Sequence, residues 1–318
     1  MKEYGGYLEF EKFGGREYHS DCLALNTGRN CLRYLIRKRM IKQMAVPYYI
    51  CDSVTDVCRE EGVEIIHYPI NAVFQPLLSA DMKEEFVYIV NYYGQLDNTF
   101  LEELHKKYPK TIIDNAQAFF QQPISDVDTI YTCRKFFGVP DGAYLYTGIE
   151  KEDNLPRQYS YDRLKYLMGR CEKTASEFYN GFLQNEEYLS QQEIRQMSRA
   201  AENILCAVDY DKIKQTREEN YQILERGLSG LNKLKIHMGV GPYMYPLLLN
   251  NGGIVRKKLQ EYKLYIPCLW PSVSESRDYQ LEADYAQNIL PIPCDQRYLP
   301  GDMEDVINII KKVLEVKS

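Results

Sequence analysis

Metal-binding and disulfide signatures are missing from this sequence. Its nine cysteines (22, 31, 51, 58, 133, 171, 206, 268 and 294) form no Cys-x-x-Cys pair, and its four histidines do not cluster. No metal site or disulfide scaffold is therefore expected, and a reducing compartment fits. No apolar run is long enough to cross a bilayer, and the opening MKEYGGYLEFEKFGG has no apolar signal core. The expectation is a cytoplasmic protein without a membrane partner. Charge of one sign is also lacking: 39 basic and 45 acidic residues give a net −6, which reads against nucleic acid as a partner. No Gly-x-Gly-x-x-Gly follows an early strand, so a dinucleotide-binding dehydrogenase is disfavoured. Internal repeats and low-complexity linkers are absent too.

What remains is a chain of 318 residues, 45% hydrophobic, long enough for one large and one smaller domain. Its 28 tyrosines suit half-buried positions with a wet polar tip. Strand-like runs at 46–50, 62–68, 86–90, 111–113 and 129–131 alternate with helical patterns, which predicts a mostly parallel sheet with crossover helices. The Gly- and Tyr-rich residues 1–20 read as an arm, 21–226 as a large domain with a charged helical extension, and 227–318 as a small α+β domain. In that last part, Lys235–Met238, Met244–Leu249 and Leu264–Leu269 read as strands and Ile254–Tyr262 as helix. A closing amphipathic helix is predicted over Asp302–Val316, with Met303, Val306, Ile307, Ile310, Val313 and Leu314 on its apolar face.

The stretch Thr111–Tyr146 organises the rest. Thr111, Ile112 and Ile113 form a short β-branched run that ends on Asp114. A second run, Thr129 to Tyr131, leads into Thr132-Cys133-Arg134-Lys135. Open α/β sheets place ligands at the carboxyl ends of their strands, so a carboxylate and an amine are both delivered to that edge. They suit a cofactor with a cationic ring nitrogen and an aldehyde, and pyridoxal phosphate (PLP) has both. A buried carboxylate keeps such a nitrogen protonated, and a lysine can hold the aldehyde and later move the proton. Taken singly, Asp114 reads equally as a helix N-cap and Lys135 as a solvated surface lysine. Order, spacing and flanking strands together favour the functional reading.

The pattern IIDNAQAFF followed by YTCRKFFGVPDGAYLY resembles the fold-type-I PLP enzymes, and most nearly the DegT/DnrJ-type sugar aminotransferase family. That family carries Asp-x-x-Gln/His and Ser-x-x-Lys segments in this order. The resemblance implies an aspartate-aminotransferase-like α/β fold, a mostly parallel sheet with flanking helices plus a smaller C-terminal α+β domain. It implies that Asp114 pairs with the ring nitrogen, Gln117 lies near the ring oxygen, and Lys135 carries the Schiff base. Thr132 takes the place of a phosphate-contacting serine. The implied reaction moves an amino group from a donor such as glutamate to a keto sugar carried on a nucleotide, in a homodimer. Another lysine-dependent PLP enzyme, a dehydratase or lyase, and a non-catalytic relative are the alternatives.

Five further places bear on that likeness. Thr27-Gly28-Arg29 opens a helix with a stripe at Leu32, Leu35, Ile36 and Met40, where Asn26 or Thr27 is the N-cap. The family has a Ser-Gly-Thr-type loop there that holds the cofactor phosphate; Thr27 and Gly28 match, and Arg29 is a candidate phosphate clamp. Val90-Asn91-Tyr92-Tyr93-Gly94 resembles the family's Val-His-x-x-Gly turn, with Asn91 in the histidine's place as a candidate contact to the ring oxygen or substrate. Cys51 stands where the family places a stacking aromatic, so Tyr49 or another ring is needed if stacking is kept. Glu193–Ser198 lacks the family's Asn, and Arg195 is its candidate substitute. Arg297 is a candidate for a donor's carboxylate, or a rim residue.

Overall fold

The computed structural model describes residues 4–150, 154–275 and 277–315. Strand β1 (Leu23–Leu25) leads into helix α1 (Gly28–Arg39), β2 (Gln43–Pro47), α2 (Asp52–Glu60) and β3 (Glu64–Tyr68). Then come β4 (Phe86–Val90), α3 (Asn98–Lys107), β5 (Thr111–Asp114), β6 (Asp128–Thr132) and β7 (Ala143–Tyr146). Helices α4 (Lys165–Glu172), α5 (Tyr179–Ser190), α6 (Arg199–Leu205) and α7 (Tyr210–Leu228) follow. The C-terminal part holds β8 (Met244–Leu248), α8 (Gly252–Leu259), α9 (Gln280–Asn288), β9 (Ile289–Pro293) and α10 (Pro300–Glu315).

The first seven strands form one sheet in the order β1-β7-β6-β5-β4-β2-β3. Strand β7 runs antiparallel to both neighbours, and the remaining pairs are parallel. The mostly parallel α/β sheet expected from the sequence is thus what forms. Strands β4, β5 and β6 are almost wholly buried, as a sheet covered by helices on both sides requires. Because β1 is parallel to β6, the chain leaves β1, β2, β4, β5 and β6 at the same edge. That edge receives the N-terminus of α1, Asn91, Asp114 and the turn after Thr132.

A second core lies around the antiparallel pair β8-β9. Tyr221, Leu224 and Leu228 of α7 close it from one side, and Met303, Val306, Ile307, Ile310 and Val313 of α10 from another. The apolar face predicted for the closing helix is therefore the buried one; Val316 lies outside the described residues, as do residues 1–3 of the expected arm.

Two expected strands do not form. The segment 235–238 bonds to a side chain instead: Gln95 Nε2 donates to the His237 carbonyl (2.7 Å) and the His237 N–H to Gln95 Oε1 (3.0 Å). The segment 264–269 contains Pro267, which has no N–H for a ladder. Conversely, β9 is a strand despite Pro291 and Pro293. Pro246 faces Pro291 across the pair, a position where neither N–H is asked to bond to the partner strand.

Candidate active site

Asp114, the last residue of β5, is held at both oxygens. Its Oδ1 accepts from the Ala116 N–H (2.8 Å) and its Oδ2 from the Tyr88 hydroxyl (2.9 Å). Tyr88 opposes Ile112 across β4 and β5, two residues before Asp114. Side chains two apart share a face, so the phenol reaches along the sheet to the carboxylate. Tyr88 is buried, and burial pushes its phenol pKa well up, with Asp114 adding to the shift. The phenol thus stays protonated and donates its hydrogen to the Asp114 carboxyl group.

Thr132 ends β6, and its hydroxyl donates to the Ala116 carbonyl (3.4 Å). Its methyl meets α1: a Cβ at Gly28 would lie 2.7 Å from Thr132 Cγ2. Glycine is required there for the helix to approach the strand end so closely. Thr27 caps α1 by accepting from the Asn30 N–H (3.1 Å), while the N–H groups of Gly28 and Arg29 precede the first intrahelical bond and have no partner within the helix. Arg29, half-buried, makes no ion pair among the described residues. Burial lowers its pKa, with the charge of Arg33 adding to this and Cys51, Asp56 and Glu60 opposing it. Arg134 follows one residue after Cys133; burial lowers its pKa as well, and Arg29 is among the charges that add to the shift. Arg134 pairs with Glu186. Two guanidinium groups beside a helix N-terminus make this end of the sheet an anion-attracting place.

Lys135 lies in the tight turn after β6, where the Phe136 and Phe137 N–H groups both donate to the Cys133 carbonyl (2.9 Å each). Its side chain is exposed, without an ion pair among the described residues, and Nζ stands 5.9 Å from the centre of the Tyr243 ring. Gln117 is buried and its Oε1 accepts from the Tyr93 N–H (2.8 Å). Tyr93 adopts the left-handed region with φ 53°, an uncommon conformation for an aromatic residue. Its hydroxyl is buried beside that of Tyr49 without forming a hydrogen bond of proper geometry. Gln117, Tyr93, Tyr243 and Lys135 thus continue the series begun by Gly28, Thr132 and Asp114.

Asn91 departs from the expectation. It is fully buried, and its Nδ2 lies within bonding distance of Leu96 O (3.1 Å), Asn115 Oδ1 (3.0 Å) and Gln121 Oε1 (2.8 Å). Its Oδ1 accepts from the Leu96 N–H (2.9 Å). Both amide protons are therefore engaged inside the chain, and a contact to a ring oxygen is not available to them. Arg297 is likewise closed, with Nε and Nη2 on the two oxygens of Asp295 (2.6 and 2.7 Å). Cys51 is exposed at the start of α2, whereas Tyr49 is buried among Tyr92 and Trp270. The Arg195 carbonyl accepts from the Asn26 N–H (2.9 Å), which sets that residue beside the β1–α1 loop.

Sequence reasoning missed Tyr88, Arg134 as a second cation, and Tyr243. Tyr88 left one readable signal, an aromatic two residues before the end of the strand preceding Asp114; its partner depends on register, which the sequence does not print.

The architecture is the aspartate-aminotransferase-like α/β fold. No protein family matches the chain by sequence, and no curated protein does. Solved structures do. A DegT DnrJ EryC1 StrS aminotransferase from Brucella abortus is 11% identical, with a TM-score of 0.61 over 91% of this chain and 85% of that one. Spr1654 from Streptococcus pneumoniae, described as a sugar aminotransferase and solved in its PLP form, is 12% identical, with a TM-score of 0.64 over 92% and 86%. The sugar aminotransferase CalS13 from Micromonospora echinospora is 12% identical, with a TM-score of 0.64 over 91% and 86%. At identities this low, the likeness shows a shared fold alone.

Proposed function

We propose that this chain is a PLP-dependent aminotransferase that moves an amino group from an amino acid such as glutamate to a keto sugar carried on a nucleotide. The observation that carries the reading is Asp114, fixed between Tyr88 and the Ala116 N–H at the sheet edge that also bears Thr132, Gly28 and Lys135. The shared fold with aminotransferases, one of them in a PLP form, supports it.

The residues fit the group. When bound, PLP supplies an electron sink for the reacting substrate. Asp114 favours the protonated ring nitrogen by its charge. Lys135 provides the amine that attaches the cofactor and then relays a proton. The N–H groups of Gly28 and Arg29, which have no partner within the helix, the helix dipole, the Thr132 hydroxyl and the Arg29 guanidinium suit a phosphate. Gln117 is the polar side chain assigned to the ring oxygen. Asn91 is given the separate task of shaping the turn that carries Tyr93.

We further assign residues 21–226 to a cofactor-binding domain and 227–318 to a small domain, with a homodimer in the cytoplasm as the working state. The decisive experiment is borohydride reduction of the protein incubated with PLP, followed by peptide mass analysis. Label on Lys135, lost in Lys135→Ala, is the expected result; no label overturns the reading. A single turnover with L-glutamate should then convert the bound cofactor to its amine form. Retention of the aldehyde form with loss of ammonia or water from a substrate would point instead to a lyase or dehydratase.

A further inference from the structure

Arg217, on α7, is only 1% exposed, yet forms no ion pair among the described residues. Its Nε donates to Gln296 Oε1 (2.9 Å) and its Nη1 to the carbonyls of Pro242 (3.0 Å) and Tyr243 (3.3 Å). Its Nη2 donates to the Phe136 carbonyl (3.3 Å), and its Cζ lies 4.6 Å from the centre of the Phe136 ring. Asp295, the acid nearest in sequence to Gln296, is engaged by Arg297. Enclosing a cation among neutral acceptors is less favourable than an apolar side chain of the same volume would be. The compensation lies in what the planar fork joins. The Phe136 carbonyl also accepts from Gln296 Nε2 (2.6 Å). One guanidinium therefore ties the turn 133–137, the segment 242–243 and residue 296. The first of these carries Lys135, and the second carries the ring that faces its amine at 5.9 Å.

We infer that Arg217 is a positioning residue for the Lys135 turn: it locks the Phe136 carbonyl to the C-terminal core and sets the Lys135 amine against Tyr243. The relevance to catalysis rests on the function proposed above, whereas the locking itself does not. Lysine cannot replace arginine in this role, because a single ammonium cannot address acceptors spread around a planar fork.

Hydrogen–deuterium exchange of the full chain, with Arg217→Lys and Gln296→Met beside the wild type, tests it. Arg217→Lys should speed exchange of the Phe136 and Phe137 amides by about tenfold or more, the effect of losing a hydrogen bond to a charged group. Exchange in β9 and α10 should stay as in the wild type, and acylation of Lys135 relative to the other lysines should change. Gln296→Met removes the amide donor to the same carbonyl and the acceptor of Arg217 Nε, while Nη1 and Nη2 keep their carbonyl partners; it should give a smaller effect at the same two amides, and it decides the matter if Arg217→Lys does not fold. Unchanged exchange at 136–137 in a folded variant, or an even rise throughout the chain, overturns the inference. Failure of the wild type to take up PLP at Lys135 would sink the proposed function alone, since the exchange pattern is read without cofactor.

Discussion

The Tyr88 hydroxyl donates to Asp114 Oδ2 at 2.9 Å across two parallel strands. A buried hydrogen bond contributes about 0.5–1.5 kcal/mol, and more when a charged group takes part, so this contact fixes the orientation of the carboxylate. Tyr88→Phe keeps the ring's packing and removes only the donor. The variant should still attach PLP, while the single-turnover rate with L-glutamate falls by about tenfold or more. Stopped-flow absorbance measures this; a wild-type rate would show that Asp114 needs no such partner.

The contact between Gly28 and Thr132 makes a second, paired prediction. Gly28→Ala places a methyl 2.7 Å from Thr132 Cγ2 and must push α1 off the end of β6. Overpacking of this kind costs about 1–3 kcal/mol, and PLP affinity should fall with it. Thr132→Ser deletes that methyl and keeps the hydroxyl, so the double variant should regain most of the loss. Titrating PLP into the four proteins checks the cycle; independent, additive losses would refute the steric account.

The parts that were legible in the sequence are those governed by local rules. β-Branched runs ended by polar residues marked β4, β5 and β6, and Thr27 before a 3.6-residue stripe marked the start of α1. Asp114 and Lys135 were readable because each follows a strand. What was not legible depends on register or on distant chain. The Tyr88 contact needs β4 and β5 paired, and the Arg217 fork gathers three segments far apart in sequence. Strand β9 was hidden by its prolines, whose tolerance follows only from their facing positions in the pair. Asn91 looked like a ligand-binding amide because its turn is close to the site; its neighbours Asn115 and Gln121 take its protons only once the fold is complete.

Asn91 therefore carries a prediction of its own. Asn91→Ala leaves the Leu96 N–H, Asn115 Oδ1 and Gln121 Oε1 short of a buried partner, and each unsatisfied group costs about 1–3 kcal/mol. Stability measured by urea unfolding should drop by about 2–4 kcal/mol after partial relaxation. If the role is structural, PLP affinity measured well below the unfolding midpoint should change by less than about threefold. A large loss of affinity in a fully folded variant would restore Asn91 to the binding site.

His19 makes the fold sensitive to acid at the segment that joins the N-terminal residues to the sheet. Its ring nitrogens face the Tyr146 hydroxyl (3.1 Å) and the Phe119 carbonyl (2.9 Å), with Tyr131 and Tyr144 packed around it. Burial lowers its pKa to about 4, opposed by the bond to the Phe119 carbonyl. The folded chain therefore binds this proton less readily than the unfolded chain, whose histidine titrates near the ordinary value of about 6.5. Its stabilising effect is complete above the unfolded value and is lost as pH falls through that window toward 4. The full loss is of order 3 kcal/mol. Urea midpoints taken at a series of pH values down to 4 should fall in the wild type, and His19→Gln should flatten the slope between pH about 6.5 and 4 while leaving the steeper decline at lower pH, where carboxylates protonate. Parallel curves for the two proteins would assign the acid sensitivity elsewhere.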